Sequence, residues 1–70
     1  MFKLNDNVVE INKPFPRKGT VVEVGTENSP KFAGRVRVLW LNKNGTPDKR
    51  TWVAPKTLQY RSPVVEISGN

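Results

Sequence analysis

The sequence predicts an all-β fold: one small, five-stranded antiparallel barrel with a single short helical turn before its last strand. Three observations predict it. Six prolines and five glycines are spread along only 70 residues, so few windows hold three uninterrupted helical turns. Between these breakers lie short runs rich in Val, Ile, Thr and Trp, the residues favoured on pleated surfaces. One of those runs, residues 35–41, alternates cleanly, with Val36, Val38 and Trp40 on one face and Arg35 and Arg37 on the other. Closing such a sheet on itself also removes its exposed edges, a hazard in a small all-β chain.

The elements follow in order. Val8-Val9-Glu10-Ile11 is the first strand, ended by Pro14-Phe15-Pro16, a stiff two-proline loop. Gly19 opens the second, Thr20-Val21-Val22-Glu23-Val24, and a polar loop from Gly25 to Pro30 leads towards the third at residues 35–41. Asn44-Gly45 is a strong hairpin signal, and Lys49-Arg50-Thr51-Trp52-Val53 is the returning strand. Ala54-Pro55-Lys56-Thr57-Leu58 reads as one tight helical turn with Leu58 dropping into the core. A last extended piece covers residues 59–61 and, past Pro63, residues 64–67. The whole is a single domain over residues 1–67 with residues 68–70 as a frayed tail. Val-Val-Glu-Ile/Val occurs three times without a fixed period, which is shared strand chemistry rather than a repeat.

Composition narrows the function. The chain has no cysteine and no histidine, which removes disulfides, thiolate metal sites, the commonest metal ligand and the usual general base. Its six carboxylates, Asp6, Glu10, Glu23, Glu27, Asp48 and Glu66, show no paired acid/base spacing, and Asp6 is better placed to accept backbone hydrogen bonds in the first turn. Ser29, Ser62 and Ser68 have no histidine to activate them, and no glycine-rich phosphate loop occurs. The expectation is a protein that is not an enzyme and carries no cofactor. No apolar run approaches the ~20 residues of a membrane span and no signal-peptide pattern is present. The expected compartment is therefore the cytoplasm.

Twelve Lys and Arg against six Asp and Glu leave a net charge of +6. An excess of this size on a small domain favours a polyanionic partner, although the same charge also serves solubility.

A resemblance to a known family rests on three stretches. Leu4-Asn5-Asp6-Asn7-Val8-Val9-Glu10-Ile11, the basic Arg17-Lys18-Gly19 and Thr20-Val21-Val22-Glu23-Val24 together resemble a KOW motif. The likeness covers about a third of the chain and departs from the family at Asn5, where a glycine is usual. Asparagine tolerates a left-handed backbone second best after glycine. The resemblance implies an SH3-like barrel that binds RNA or protein. The stretch from Gly34 to Leu58 is similar to SH3-like and Tudor-like barrels generally, and in layout to the small basic SH3-like subunits of photosystem I. That last likeness implies docking to an acidic protein.

The candidate site is the outer face of the hairpin formed by the third and fourth strands. With Asn44-Gly45 at a symmetric turn, position 38 faces 51, 36 faces 53 and 37 faces 52. Arg35, Arg37, Arg50 and Trp52 then share the outward face, an indole among guanidinium groups suited to stacking bases and neutralising phosphates. A register slip of one residue turns Trp52 inward instead, and Pro47 disturbs a symmetric turn. Trp40 is expected in the core, which leaves Leu39 and Leu41 outward with the arginines. A second basic group, Lys13, Arg17 and Lys18, surrounds Phe15, which is either an exposed apolar contact for a partner or, the preferred reading, a lid folded over the barrel mouth. Lys56 and Arg61 flank the helical turn and extend one patch or the other.

The functional expectation is weak, largely sequence-independent nucleic-acid binding, RNA or DNA, through Arg35, Arg37, Arg50 and Trp52 with Arg17 and Lys18. The alternative is a basic docking subunit for an acidic protein or a larger complex. An enzyme assembled by oligomerisation finds no acid/base pair to support it.

Overall fold

In the computed structural model, residues 2–28 and 30–61 are described. They form five strands, β1 (Asn7–Glu10), β2 (Lys18–Val24), β3 (Val36–Leu41), β4 (Pro47–Val53) and β5 (Leu58–Tyr60), with 3-10 turns at Pro30–Phe32 and Pro55–Thr57. All pairings are antiparallel, and the strand order in the sheet is β4-β3-β2-β1-β5. The all-β class, the five strands and the single turn leading into the last strand are those the sequence predicts. The turn at Pro30–Phe32 is an addition to that reading. The extended piece expected at 64–67 and the tail at 68–70 lie outside the described residues.

Two irregularities bend the sheet. In β2 the register against β3 shifts between Val21 and Glu23, so Val22 is an extra residue. A bulge of this kind sharpens the local twist, and it lets Val21 pair with Val38 and Val24 with Val36, both pointing at the core. The second lies between Leu39 and Leu41, where β4 holds the extra residue.

That second bulge explains how the hairpin resolves Pro47. Asn42 and Thr46 bracket a three-residue loop, with the Gly45 amide donating to the Asn42 carbonyl at 2.8 Å and the Asn42 amide donating to the Thr46 carbonyl at 2.8 Å. Gly45 has φ +86, the left-handed position that such a loop requires. The longer loop offsets the register by one residue, so Leu41 pairs with Pro47. Pro47 is the first residue of the strand, where its missing N–H does little harm. The bulge then removes the offset, and Val38 faces Thr51, Arg37 faces Trp52 and Val36 faces Val53. These are the partners a symmetric turn predicts.

The core is Phe2, Val8, Val21, Val36, Val38, Trp40 and Leu58, with Val24 and Val53 packed against it. Trp40 is 1% exposed and its indole N–H donates to Thr51 Oγ1 at 2.7 Å, so its polar atom is satisfied where it is buried. By area, burying an indole of this kind is worth roughly 4–6 kcal/mol before entropy is counted. Gly19 makes this possible. It pairs with Trp40 across β2 and β3, and a Cβ there would sit 3.1 Å from Trp40 Cε3 and 2.8 Å from the Leu39 carbonyl oxygen. Leu39 and Leu41 stay outward, since β3 keeps strict alternation to its end.

The first turn follows its sequence signals. Asn5 takes φ +72, and Asp6 accepts the Lys3 amide at 2.7 Å. The Asn5 amide donates to the Val21 carbonyl at 2.8 Å and the Val21 amide to the Asp6 carbonyl at 2.9 Å, which ties this turn to the bulge in β2.

Candidate functional site

The loop between β1 and β2 is held shut at its base. The Glu10 amide donates to the Arg17 carbonyl at 3.1 Å, and the Arg17 amide donates back to Glu10 Oε1 at 3.0 Å. The Arg17 side chain adds a two-pronged grip, Nε to Oε1 at 3.1 Å and Nη2 to Oε2 at 2.9 Å. This fork geometry is among the stronger charge-assisted contacts available to a protein. The Arg17 hydrogen bond holds the Glu10 carboxyl below its ordinary value against the opposing effect of burial, and Glu10 in turn raises Arg17. Within the loop, Asn12 turns the chain at φ +60.

Phe15 sits at the tip and is 89% exposed. The expected lid over the barrel mouth is therefore not formed. The reason lies in its neighbours: Pro14 and Pro16 each fix their own φ, and the residue before a proline is confined to extended backbone. Both constraints fall on Phe15 or its flanks and keep this part of the loop extended, with the ring in solvent.

Phe15 borders a groove of about 590 Å³ lined by Pro14, Pro16, Arg17, Lys18, Leu41 and, from the hairpin loop and the end of β5, Asn42, Lys43, Gly45 and Arg61. Four of these side chains are cationic and none is a carboxylate. The described residues hold two ion pairs, Arg17–Glu10 and Arg37–Glu23, and neither involves Lys18, Lys43 or Arg61. Arg61 Nη2 lies 3.5 Å from the Gly19 carbonyl oxygen, which sets the side chain across the sheet. The sequence left Lys43 unremarked and Arg61 ungrouped, because both reach the groove only through the hairpin and the β1–β5 pairing. Phe15 between two prolines, with Arg17 and Lys18 beside it, was the part of the site that the sequence did signal.

The other sequence-predicted residues lie on the outward face of β2, β3 and β4. Val36, Val38 and Trp40 face in, so Arg37, Leu39 and Leu41 face out. Their cross-strand neighbours Trp52 and Arg50 share that face, with Lys18 and Thr20 on β2. Arg35 is exposed just before β3 and Arg50 is exposed within β4. Lys18 and Leu41 stand at the groove end of this face and Arg37 and Trp52 at the far end.

At the far end Trp52 is half-buried. Phe32, carried by the first 3-10 turn, stacks on it with centroids 4.4 Å apart and planes 11° from parallel. The Arg37 guanidinium is 6.0 Å from the Trp52 ring and bonds Glu23 at 3.2 Å. Lys31 Nζ lies 5.7 Å from the Phe32 ring. The structure thus brings Arg37 and Trp52 together as neighbours, but the indole already has an aromatic partner on one face. Phe32 was not singled out from the sequence.

Among the described residues, no group of three or more acidic, histidine or cysteine side chains is placed to hold a metal ion. Nor is any helix there long and apolar enough to cross a membrane. Compared with protein-family models, curated proteins and solved structures, the chain shows no match.

Proposed function

We propose that the chain is a non-catalytic module that binds nucleic acid weakly and largely without regard to sequence. The observation that carries the proposal is the groove at Phe15, with four cationic side chains, of which only Arg17 is paired with a carboxylate among the described residues, and an almost fully exposed aromatic ring. Cationic side chains that neutralise phosphates release condensed counterions, which drives binding independently of sequence. Exposed aromatic rings add stacking that every base can satisfy. Lys18 links the groove to the outward face, where Arg35, Arg37 and Arg50 extend the positive surface and Trp52 lies among them.

The test is an NMR titration of labelled protein with short single strands of RNA and DNA and with a short duplex, at low and moderate salt. Shifts should gather at the groove and on the outward face of β3 and β4, and fade as salt rises. With ~4 phosphates engaged, the log–log salt slope lies near −3 to −4. A slope near zero, or no shifts at low salt, ends the nucleic-acid reading.

A second reading, docking to an acidic protein, draws on one observation. Leu39 and Leu41 are apolar, half-buried and set among the cations of the outward face, as at the centre of a protein interface. It predicts saturable binding to an acidic protein and little affinity for generic RNA or DNA.

A further inference from the structure

We infer that the groove beside Phe15 selects unpaired strands: a base of a single-stranded nucleic acid stacks on the Phe15 ring while the flanking phosphates lie against Lys18, Lys43 and Arg61. The inference rests on the nucleic-acid reading above and specifies the strand form that the site takes.

The argument begins with the ring. A phenyl left in water forgoes the ~1.5–3 kcal/mol that burial would return. Here the ring stands 89% exposed on a loop whose backbone the two flanking prolines restrict, so binding has less backbone freedom to take away. A duplex keeps its base faces stacked on one another and offers this ring only sugar and phosphate. An unpaired base has a free face. The phenyl therefore contributes only to a single strand.

The cations sort in the same way. Arg17 lines the groove, but its guanidinium is bound to Glu10 and covers Trp40 at 4.1 Å. Lys18, Lys43 and Arg61 have no carboxylate partner among the described residues, and they come from β2, the hairpin loop and the end of β5, around Phe15. Phosphates on either side of a stacked base thus find positive charge on more than one side of the ring. At about 590 Å³ the groove lies within the ~300–1,000 Å³ of clefts that hold small ligands, a size for a nucleotide unit rather than for the body of a duplex.

The experiment is fluorescence anisotropy at low salt with labelled oligouridine, oligodeoxyuridine, oligothymidine and short RNA and DNA duplexes, using the wild type, Phe15→Ala and Phe15→Trp. The ring's exposure makes both variants compatible with the fold, which circular dichroism checks. Phe15→Ala should weaken single-strand binding about tenfold or more and leave duplex binding unchanged, while Phe15→Trp should restore it. Oligodeoxyuridine, which differs from oligouridine only in the sugar, tells which sugar the site prefers. Phe15→Ala binding single strands as well as the wild type does, or weakening strand and duplex alike, overturns the inference and leaves the nucleic-acid reading in place. If the wild type binds no strand or duplex, both are overturned.

Discussion

The Arg17 guanidinium lies 4.1 Å from the centroid of the Trp40 ring while its Nε and Nη2 hold Glu10. One side chain thus covers the largest buried residue of the core and shuts the base of the loop that presents Phe15. Arg17 is a brace as much as a surface charge, so display of the candidate groove is coupled to packing of the core.

Arg17→Ala should therefore destabilise the fold by about 1–3 kcal/mol, because it removes a cation–π contact and leaves a nearly buried carboxylate without its partner. Arg17→Lys should lose almost as much. Lysine keeps the charge, but has neither the fork that matches Glu10 nor the plane that lies on the indole. Urea unfolding followed by Trp fluorescence measures both. A lysine variant as stable as the wild type would show that charge alone is what matters here.

The same contact sets an acid sensitivity. The folded-state pKa of Glu10 is lowered from its ordinary 4.5, chiefly by the Arg17 hydrogen bond. A carboxyl with a lowered folded pKa stabilises the fold above its unfolded pKa, and this contribution is lost as pH falls through the folded value. Stability should thus decline from about pH 5 downwards, and Glu10→Gln should flatten that decline while lowering stability at neutral pH. Denaturation midpoints across acidic pH give the comparison; parallel curves for the two proteins would remove Glu10 from the account.

Much of this fold is legible in the sequence because the inward set of β3 is so regular. Val36, Val38 and Trp40 leave the strand one way to face, and the register with Thr51 and Val53 follows from Asn44-Gly45. The hairpin loop itself is one residue longer than a symmetric turn, and the bulge opposite Leu39 and Leu41 cancels the difference. The register was thus readable although the loop was not. The candidate site was harder to read. Phe15 looked like a lid because burial usually wins for phenylalanine, and the paired prolines that prevent it act through backbone geometry. Lys43 and Arg61 carry no local signal at all. Only the closing of distant strands brings them beside Phe15.

Gly25 depends on space, not on unusual backbone angles. Its amide donates to the Arg35 carbonyl at 2.8 Å, and a Cβ added there would collide with the Phe32 carbonyl oxygen and lie 2.6 Å from its carbon. These are backbone atoms that cannot turn aside. Gly25→Ala should therefore cost at least the ~1–3 kcal/mol typical of overpacking and displace the 3-10 turn that carries Phe32. The sign to look for is a changed near-ultraviolet circular dichroism signal from Trp52 together with a lowered Tm. Thr26→Ala, one residue on and exposed, should change neither.

The Phe32–Trp52 stack gives the last test, because it separates the two ends of the outward face. Parallel rings 4.4 Å apart should be coupled by about 0.5–1.5 kcal/mol in a double-mutant cycle of Phe32→Ala and Trp52→Ala read by unfolding. One indole face is already covered by Phe32, so Trp52 has less surface to offer a base than Phe15 has. Trp52→Ala should consequently reduce stability more than Phe15→Ala does, and reduce single-strand affinity less. The opposite ranking in the binding assay would move the centre of the interface from the proline loop to the Arg37–Trp52 pair, where cross-strand parity alone had placed it.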